Sequence, residues 1–460
     1  MNTRFANAFR GFIISHKALI LILLAGLALR LAFFCAVKPW QPDYITKKII
    51  MVDAQPYHEF ALSILNTRSF EQTGSYRTPG YPLFLASVYA VFGVRPWAAI
   101  LIQVFIGLAT ILLVYLWTKE WFSKTVALTA AGIFAVEPHV IIYGACLLTE
   151  TLFVFTLLLS VYLWQLVGRG GKLFWAALSG LLLGYTVLIR PISILLPMLL
   201  IPAGLVYAKN RLPGMLKTAG VFALMFVLTV SLWMFKNYNQ YGYFDLTHIN
   251  GFNLYFVSAA YTEVAKTGKT YTEVCAEFES AAKKKGAYET PDQFKQSAIF
   301  AGLGAAYLRD NLALYARRHL TGMITLFTNL ASTDTTDLAG LDSMQKKYNV
   351  YEFHNFIDMI KWYFANKTRT EIVFGVAVSL FLLITYLSAF YGIFRAIKDK
   401  YYAAAVLNLT IAFYFVFMTG VFGVARYRLP VIPFYALFSA YGLAFLFAAA
   451  KNRLVNRGEK

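Results

Sequence analysis

Cysteine is scarce in this chain. Cys35, Cys146 and Cys275 are the three in 460 residues, and their spacing matches no metal-ligand pattern, so neither a zinc site nor a disulfide is inferred. The GxSxG, P-loop and GxGxxG patterns are missing, which disfavours a serine hydrolase of that kind, a P-loop ATP-driven pump and a Rossmann-type nucleotide-sugar site. No DxD or HxxxH element assembles from the six histidines. Glu137-Pro138-His139 is an isolated pair, and His58 and Glu59 stand on a segment of their own. A satisfied polar rim accounts for them better than a required metal, so no cofactor is expected. Internal repeats and low-complexity tracts are absent as well.

Acidic residues are few too: 23 Asp and Glu face 42 Lys and Arg, for a net charge of +19. In a soluble protein that balance would suggest nucleic acid. Here many of the cations sit in short loops between apolar segments, where they set orientation beside anionic lipid.

What is abundant is apolar surface. With 59% apolar and 17% aromatic residues and a mean hydropathy of +0.57, the chain holds more apolar side chain than one soluble core can bury. Segments of roughly 20 apolar residues cross the hydrocarbon as helices. About ten qualify: residues 18–37, 96–118, 126–143, 147–167, 173–190, 192–208, 218–235, 372–394, 402–424 and 429–450. The basic first residues lead into an apolar run without a cleavage-site pattern, which reads as a retained first span.

Lys119, Lys124, Arg169, Lys172, Lys209, Arg211, Lys217, Arg395, Lys398 and Lys400 occupy alternate connections, and Lys451, Arg453, Arg457 and Lys460 follow the last span. The positive-inside rule then places both termini in the cytoplasm of an inner-membrane protein. On that parity residues 53–82, the turn after Pro138, the Arg190-Pro191 tip, residues 236–370 and Arg426 to Arg428 share the outer, periplasmic side. Stability gains nothing from collecting the unusual polar features on one side, so the asymmetry is a first sign of function.

Residues 53–82, DAQPYHEFALSILNTRSFEQTGSYRTPGYP, form a polar island between the first two apolar stretches. Pro56 can start a helix, and Tyr57, Phe60, Ala61, Ile64 and Leu65 recur at helical spacing, which predicts an amphipathic helix in the interface plane. Residues 83–92 are too short to span and predict a second interfacial helix. In the outer segment, Thr290-Pro291-Asp292-Gln293 matches a capping box, and Gly286 can end the helix before it. Residues 320–331 are apolar but short, which leaves a re-entrant or interfacial helix and a true crossing both open.

Asp53 follows an apolar trio, Ile50-Met51-Val52, and reads either as a functional carboxylate or as a loop or cap residue. Glu150 opens an apolar span, where an unpaired carboxylate is expensive unless the helix dipole favours it. Arg77, Arg190, Lys236, Arg426 and Arg428 are outer-side cations at span ends. Singly each can snorkel to headgroups; together with two acids they suggest an anionic ligand such as a lipid phosphate.

These residues resemble the membrane-embedded C-type (GT-C) glycosyltransferases. The resemblance rests on Asp53 followed by Tyr57, His58 and Ala61, on RTPGYPLFLA from Arg77, on LLTE ending at Glu150, on Arg190-Pro191, and on RYRLPVIPF from Arg426. It is nearest to bacterial relatives of the protein O-mannosyltransferases and of the aminoarabinose transferase that modifies lipid A. It implies an all-α polytopic membrane protein, a bundle of about ten transmembrane helices with interfacial helices and a small outer helical segment. It also implies a polyprenyl-phosphate sugar donor, a lipid, glycan or protein acceptor, and transfer on the outer face. Asp53 falls where the family has its first-loop acid, acting as general base or positioning the acceptor, and Glu150 falls where it has a second acid. Arg77, Arg190 and Arg426 fall where cations hold the lipid phosphate, and Lys236 and Arg428 are grouped with them here. Tyr57, His58, Tyr81 and His139 are expected around the substrate cavity. Two departures bear on the acceptor class: no Glu adjoins Asp53, and no large soluble domain follows the last span.

The expected organisation is an N-terminal transmembrane catalytic module, residues 1–235, with its outer loop at 38–95, then an outer helical segment, 236–370, and C-terminal transmembrane helices, 371–460. The expected activity is inverting transfer with Asp53 as base. A transporter or lipid flippase is one alternative, and a polysaccharide ligase or polymerase using long-chain pyrophosphate substrates is another. Neither paired halves nor midplane charges on broken helices favour the transporter.

Overall fold

The computed structural model describes residues 2–46, 53–70, 76–168, 172–207, 212–341 and 356–458. Ile50 to Val52, Arg169, Lys209, Arg211 and Lys460 lie outside them, as do the side chains of Lys451, Arg453 and Arg457. Among the described residues the secondary structure is helical throughout, without a strand.

Six helices are long and apolar enough to cross a membrane: His16–Val37, Pro96–Lys119, Glu150–Gly168, Gly214–Tyr241, Arg369–Lys398 and Ala425–Ala450. A seventh crossing is possible as a bent pair, Lys124–Val136 and Pro138–Gly144, which turns by 51°. The expectation of about ten is therefore not confirmed. Three of the expected segments fold as shorter apolar helices, Leu173–Ile189, Pro191–Gly204 and Tyr402–Met418. A helix of 17 residues rises only about 25 Å, less than the hydrocarbon thickness.

Proline explains the bend. Pro138 has no N–H to continue the ladder and forces its predecessor out of helical geometry, and Glu137 takes an extended ψ of 118°. The freed groups find partners. The Glu137 carboxylate accepts from the Val140 N–H at 2.8 Å, and Arg30 Nη1 donates to the Ala135 carbonyl at 3.0 Å.

Small residues bring the C-terminal helices together. A Cβ added at Gly392 would meet the Phe438 carbonyl oxygen at 1.9 Å, and one at Gly442 would meet the Ser388 carbonyl oxygen at 2.1 Å. Close backbone approach of this kind is how helices associate where lipid removes the hydrophobic drive. Ser388 and Ser439 add a hydroxyl contact of 2.7 Å across the same pair.

The two helices expected at the interface form as Ala54–Thr67 and Gly80–Phe92, the first burying Tyr57, Phe60 and Ala61. Within residues 236–370, the segment expected on the outer side, a separate core forms around Tyr255, Phe256, Val274, Phe278, Phe300 and Leu308. Gly286 does follow the helix Tyr271–Lys284, at φ 72°. The capping box at Thr290 is corrected: Asp292 caps Gln293–Asp310, accepting from the N–H groups of Phe294 and Lys295. Proline at position 291 sits before that cap, so the helix starts two residues later than the pattern implied. The apolar run at 320–331 belongs mostly to the helix Leu312–Thr328, which is not among the spanning candidates. The boundary expected at 236 falls inside the helix Leu212–Tyr241.

Candidate active site

Five charged side chains from five separate places converge at helix ends. Asp53 stands at the N-cap position of Ala54–Thr67, Glu150 opens Glu150–Gly168, and Arg190 follows Leu173–Ile189. Arg77 lies in the turn before Gly80–Phe92, and Arg426 lies in the 3-10 turn Ala425–Val431.

Asp53 bridges two of the cations. Its Oδ1 accepts from Arg77 Nη2 at 2.5 Å, and its Oδ2 accepts from Arg426 Nη1. Burial alone would raise its pKa, but Arg426 and Arg77 outweigh burial and hold the carboxyl below its ordinary value. Beside this bridge, Glu150 Oε1 accepts from Arg190 Nη1 at 2.8 Å. Glu150 is 2% exposed, so the pair is almost sealed from solvent on the carboxylate side.

Aromatic rings brace the guanidinium groups. Arg77 lies 5.1 Å from the Tyr57 ring and 5.0 Å from the Tyr76 ring. Tyr427 serves two arginines at once, with Arg426 at 5.0 Å and Arg190 at 5.1 Å from its ring centre. It thereby joins the two ion pairs into one cluster. Tyr57 feels Asp53, Glu150, Arg77 and Arg190 through space, as expected of one shared pocket.

Arg428 goes elsewhere. It is fully buried, donates to the carbonyls of Leu326, Phe327 and Asn329, and reaches the His139 ring at 2.8 Å. His139 in turn pairs with Glu137 at 2.9 Å, and both are fully buried. Glu137, His139 and Arg428 thus form a closed internal triad that ties the broken helix to residues 326–330. Arg428 and His139 are therefore placed apart from the Asp53 cluster with which they were grouped, and the Nη atoms of Arg428 are engaged by the scaffold.

The other expected cavity residues are also placed by the structure. Tyr81 is fully buried, its hydroxyl donating to Gln103 Oε1 at 2.7 Å, with its ring edge-on to Tyr57. His58 pairs with the Tyr89 hydroxyl at 2.9 Å, away from the charged cluster, and burial lowers its pKa. Lys236 lies over the Trp233 and Tyr241 rings at 4.6 and 5.1 Å, beside the outer segment rather than against Asp53.

Several residues escaped sequence reasoning. Gln103 donates to the carbonyls of Gly144 and Cys146, and Tyr44 donates to that of Ala145, so both hold the non-helical residues that lead into Glu150. Asp334, on the helix Ser332–Leu338, accepts from the Tyr143 hydroxyl at 3.4 Å. Tyr143 and Cys146 both feel Glu150, Asp334 and Arg426, so a third carboxylate stands near the cluster, from the helix Ser332–Leu338. The run STDTTD, polar after an apolar helix, was the available signal. Among the described residues, no three His, Cys, Asp or Glu side chains gather as metal ligands would.

Apolar helices with arginines and carboxylates gathered at their ends define the class: a polytopic membrane protein with a cluster of ion pairs at its helix ends. Its fold is shared with the oligosaccharyltransferase AglB from Archaeoglobus fulgidus, at a TM-score of 0.52 and 14% identity, over 97% of this chain and 52% of that one. That AglB structure holds an inhibitory peptide and a dolichol-phosphate. Residues 76–233 match the family profile described as dolichyl-phosphate-mannose-protein mannosyltransferase. Two Bacillus subtilis (strain 168) proteins provisionally named as mannosyltransferases are also similar. YkcB is 30% identical over 162 residues, 34% of this chain and 21% of its own length. YycA is 28% identical over 171 residues, 36% of this chain and 24% of its own. The matched segments thus span less than a quarter of those relatives. The chain thus has the fold of that oligosaccharyltransferase, and about a third of its length resembles mannosyltransferases in sequence.

Proposed function

We propose that the protein transfers a sugar from a polyprenyl-phosphate donor to an acceptor hydroxyl on the outer face of the cytoplasmic membrane. The observation that carries this reading is the Asp53 carboxylate set between Arg77 and Arg426, beside the Glu150–Arg190 pair. Breaking the bond from the anomeric carbon to the phosphate oxygen builds negative charge on the leaving phosphate. Guanidinium groups fixed by aromatic rings in a partly dry pocket stabilise that charge without reorganising. Asp53 takes the acceptor proton, and attack from the side opposite the phosphate inverts the anomeric centre. Glu150, held by Arg190, keeps that arginine in place and is not free to act as a nucleophile.

In this reading the lipid tail of the donor stays in the bilayer while its headgroup enters between the interfacial helices. Both termini lie in the cytoplasm. The outer segment helps to choose the acceptor, with Asp334 as the carboxylate it presents toward the pocket. The test is a transfer assay with purified protein in lipid nanodiscs and a polyprenyl-phosphate sugar, together with mass spectrometry of envelope lipids and glycans from cells with and without the protein. Asp53→Asn should abolish product while the protein stays folded; retained turnover by that variant rules out the base assignment. Transport of lipid across vesicles without covalent product would favour a flippase instead.

A further inference from the structure

The geometry around Asp53 raises a chemical difficulty. A carboxylate whose two oxygens are both engaged by arginines is a poor base, because two adjacent positive charges stabilise its ionised form and depress its proton affinity. The same two arginines are the groups best placed to receive a phosphate. Carboxylate and phosphate present similar paired oxygens to guanidinium forks, so they compete for the same donors.

We infer that Asp53 is an internal counter-ion that the donor phosphate displaces from Arg77 and Arg426, so that donor binding itself releases the base. The inference rests on the reading of this pocket as the donor site. Three observations support it. Each arginine has aromatic contacts besides the carboxylate, Tyr57 and Tyr76 for Arg77 and Tyr427 for Arg426. Arg77 holds donor capacity in reserve, since its buried Nε has no hydrogen-bond partner. Asp53, Arg77 and Arg426 are 15, 20 and 24% exposed at their side chains, so the bridge is open to an incoming headgroup, unlike the sealed triad at Arg428.

The charges balance through the cycle. Two guanidiniums against one carboxylate leave one positive charge, which the singly charged phosphodiester of the donor neutralises. Asp53, set free, accepts the proton of the acceptor hydroxyl as the new bond from acceptor oxygen to anomeric carbon forms. The electron pair of the breaking bond stays on the phosphate oxygen, so the leaving phosphomonoester gains a second charge. Protonated Asp53 no longer competes, and both arginines serve the leaving group. Loss of that proton to water restores the bridge and expels the product. Binding is therefore ordered, with the donor first.

The test uses the full-length protein in nanodiscs, with binding of farnesyl phosphate, inorganic phosphate and farnesol measured for wild type, Asp53→Asn and Asp53→Ala. Removing the competitor should tighten farnesyl phosphate binding by about tenfold, roughly 1.4 kcal/mol, in both variants, although neither transfers sugar. Arg77→Ala should weaken it. Inorganic phosphate tightening as much as farnesyl phosphate assigns the effect to the phosphate alone, as the inference requires; farnesol should not respond. Equal or weaker farnesyl phosphate binding by both folded Asp53 variants overturns the counter-ion role and leaves the transferase reading standing. Absence of phosphate binding in every form, wild type included, overturns the donor-site reading and this inference with it.

Discussion

Arg426 and Arg428 stand two residues apart in RYRLP, yet they belong to different parts of the molecule. Arg426 reaches Asp53 in a pocket open enough to leave its side chain 24% exposed. Arg428 is fully buried, with its donors on His139 and three backbone carbonyls. Both clusters combine arginine, carboxylate and aromatic or imidazole rings. What separates them is whether a path remains for an outside anion. The open cluster keeps its side chains partly exposed, and the closed triad is sealed, with its Nη donors on the protein itself. Buried polar groups alone therefore do not mark a site; a buried pair completed by backbone carbonyls is scaffold.

The sharpest way to break this comparison is to exchange the consequences of losing each arginine. Arg426→Ala is expected to lower the transfer rate by about 10²- to 10³-fold, the usual loss for one group that stabilises developing charge, with a smaller loss of thermal stability than Arg428→Met. Arg428→Met is expected to do the reverse. It removes a buried partner of His139 and strands the carbonyls of Leu326, Phe327 and Asn329 in the interior, at a cost of about 3–5 kcal/mol, read as a lowered unfolding temperature and poor yield. If Arg428→Met is as stable as wild type and inactive, the two clusters have been assigned the wrong way round.

Asp334→Asn tests the outer segment's share of the pocket. The expected result is a rise of about tenfold in acceptor KM, the scale of one charge-assisted hydrogen bond, with donor KM unchanged. An equal effect on both substrates would make Asp334 a structural residue.

Acid titration refines the account of Asp53. Its pKa is lowered in the free protein, so the carboxylate is ionised at neutral pH and its bridge stabilises the fold fully above the ordinary value near 3.8. That contribution is lost as pH falls from there through the lower folded value. Donor binding withdraws the arginines and raises the pKa. The acid limb of kcat should therefore lie at higher pH than that of kcat/KM for the donor, because the first reports the bound enzyme and the second the free one. Coincident limbs argue against displacement. The smallest expected effect is that of Tyr427→Leu, which removes the ring shared by Arg190 and Arg426. About 0.5–2 kcal/mol of cation–ring attraction is at stake, visible as a several-fold rise in donor KM.

Much of this molecule is legible one segment at a time. The interfacial helix after Asp53 follows from apolar residues at helical spacing, and Gly286 follows from the conformational freedom a helix end requires. The pattern at Thr290 did not transfer, because the side chain that caps that helix is Asp292. Span counting also fell short, since hydropathy measures composition and not helix length: the Tyr402–Met418 helix is apolar but ends well short of the expected residue 424.

Sequence alone determined the membrane class, because no soluble core can absorb so much apolar surface. It also determined which charged residues sit at helix ends, since hydropathy places those ends. Only the tertiary structure decided which of them meet. In a 3-10 turn, successive residues are about 120° apart, so Arg426 and Arg428 leave the same short segment in different directions. One finds Asp53, 373 residues away in sequence, and the other finds His139, 289 residues away. No local pattern encodes those distances, because each partner is set by how separate helices pack.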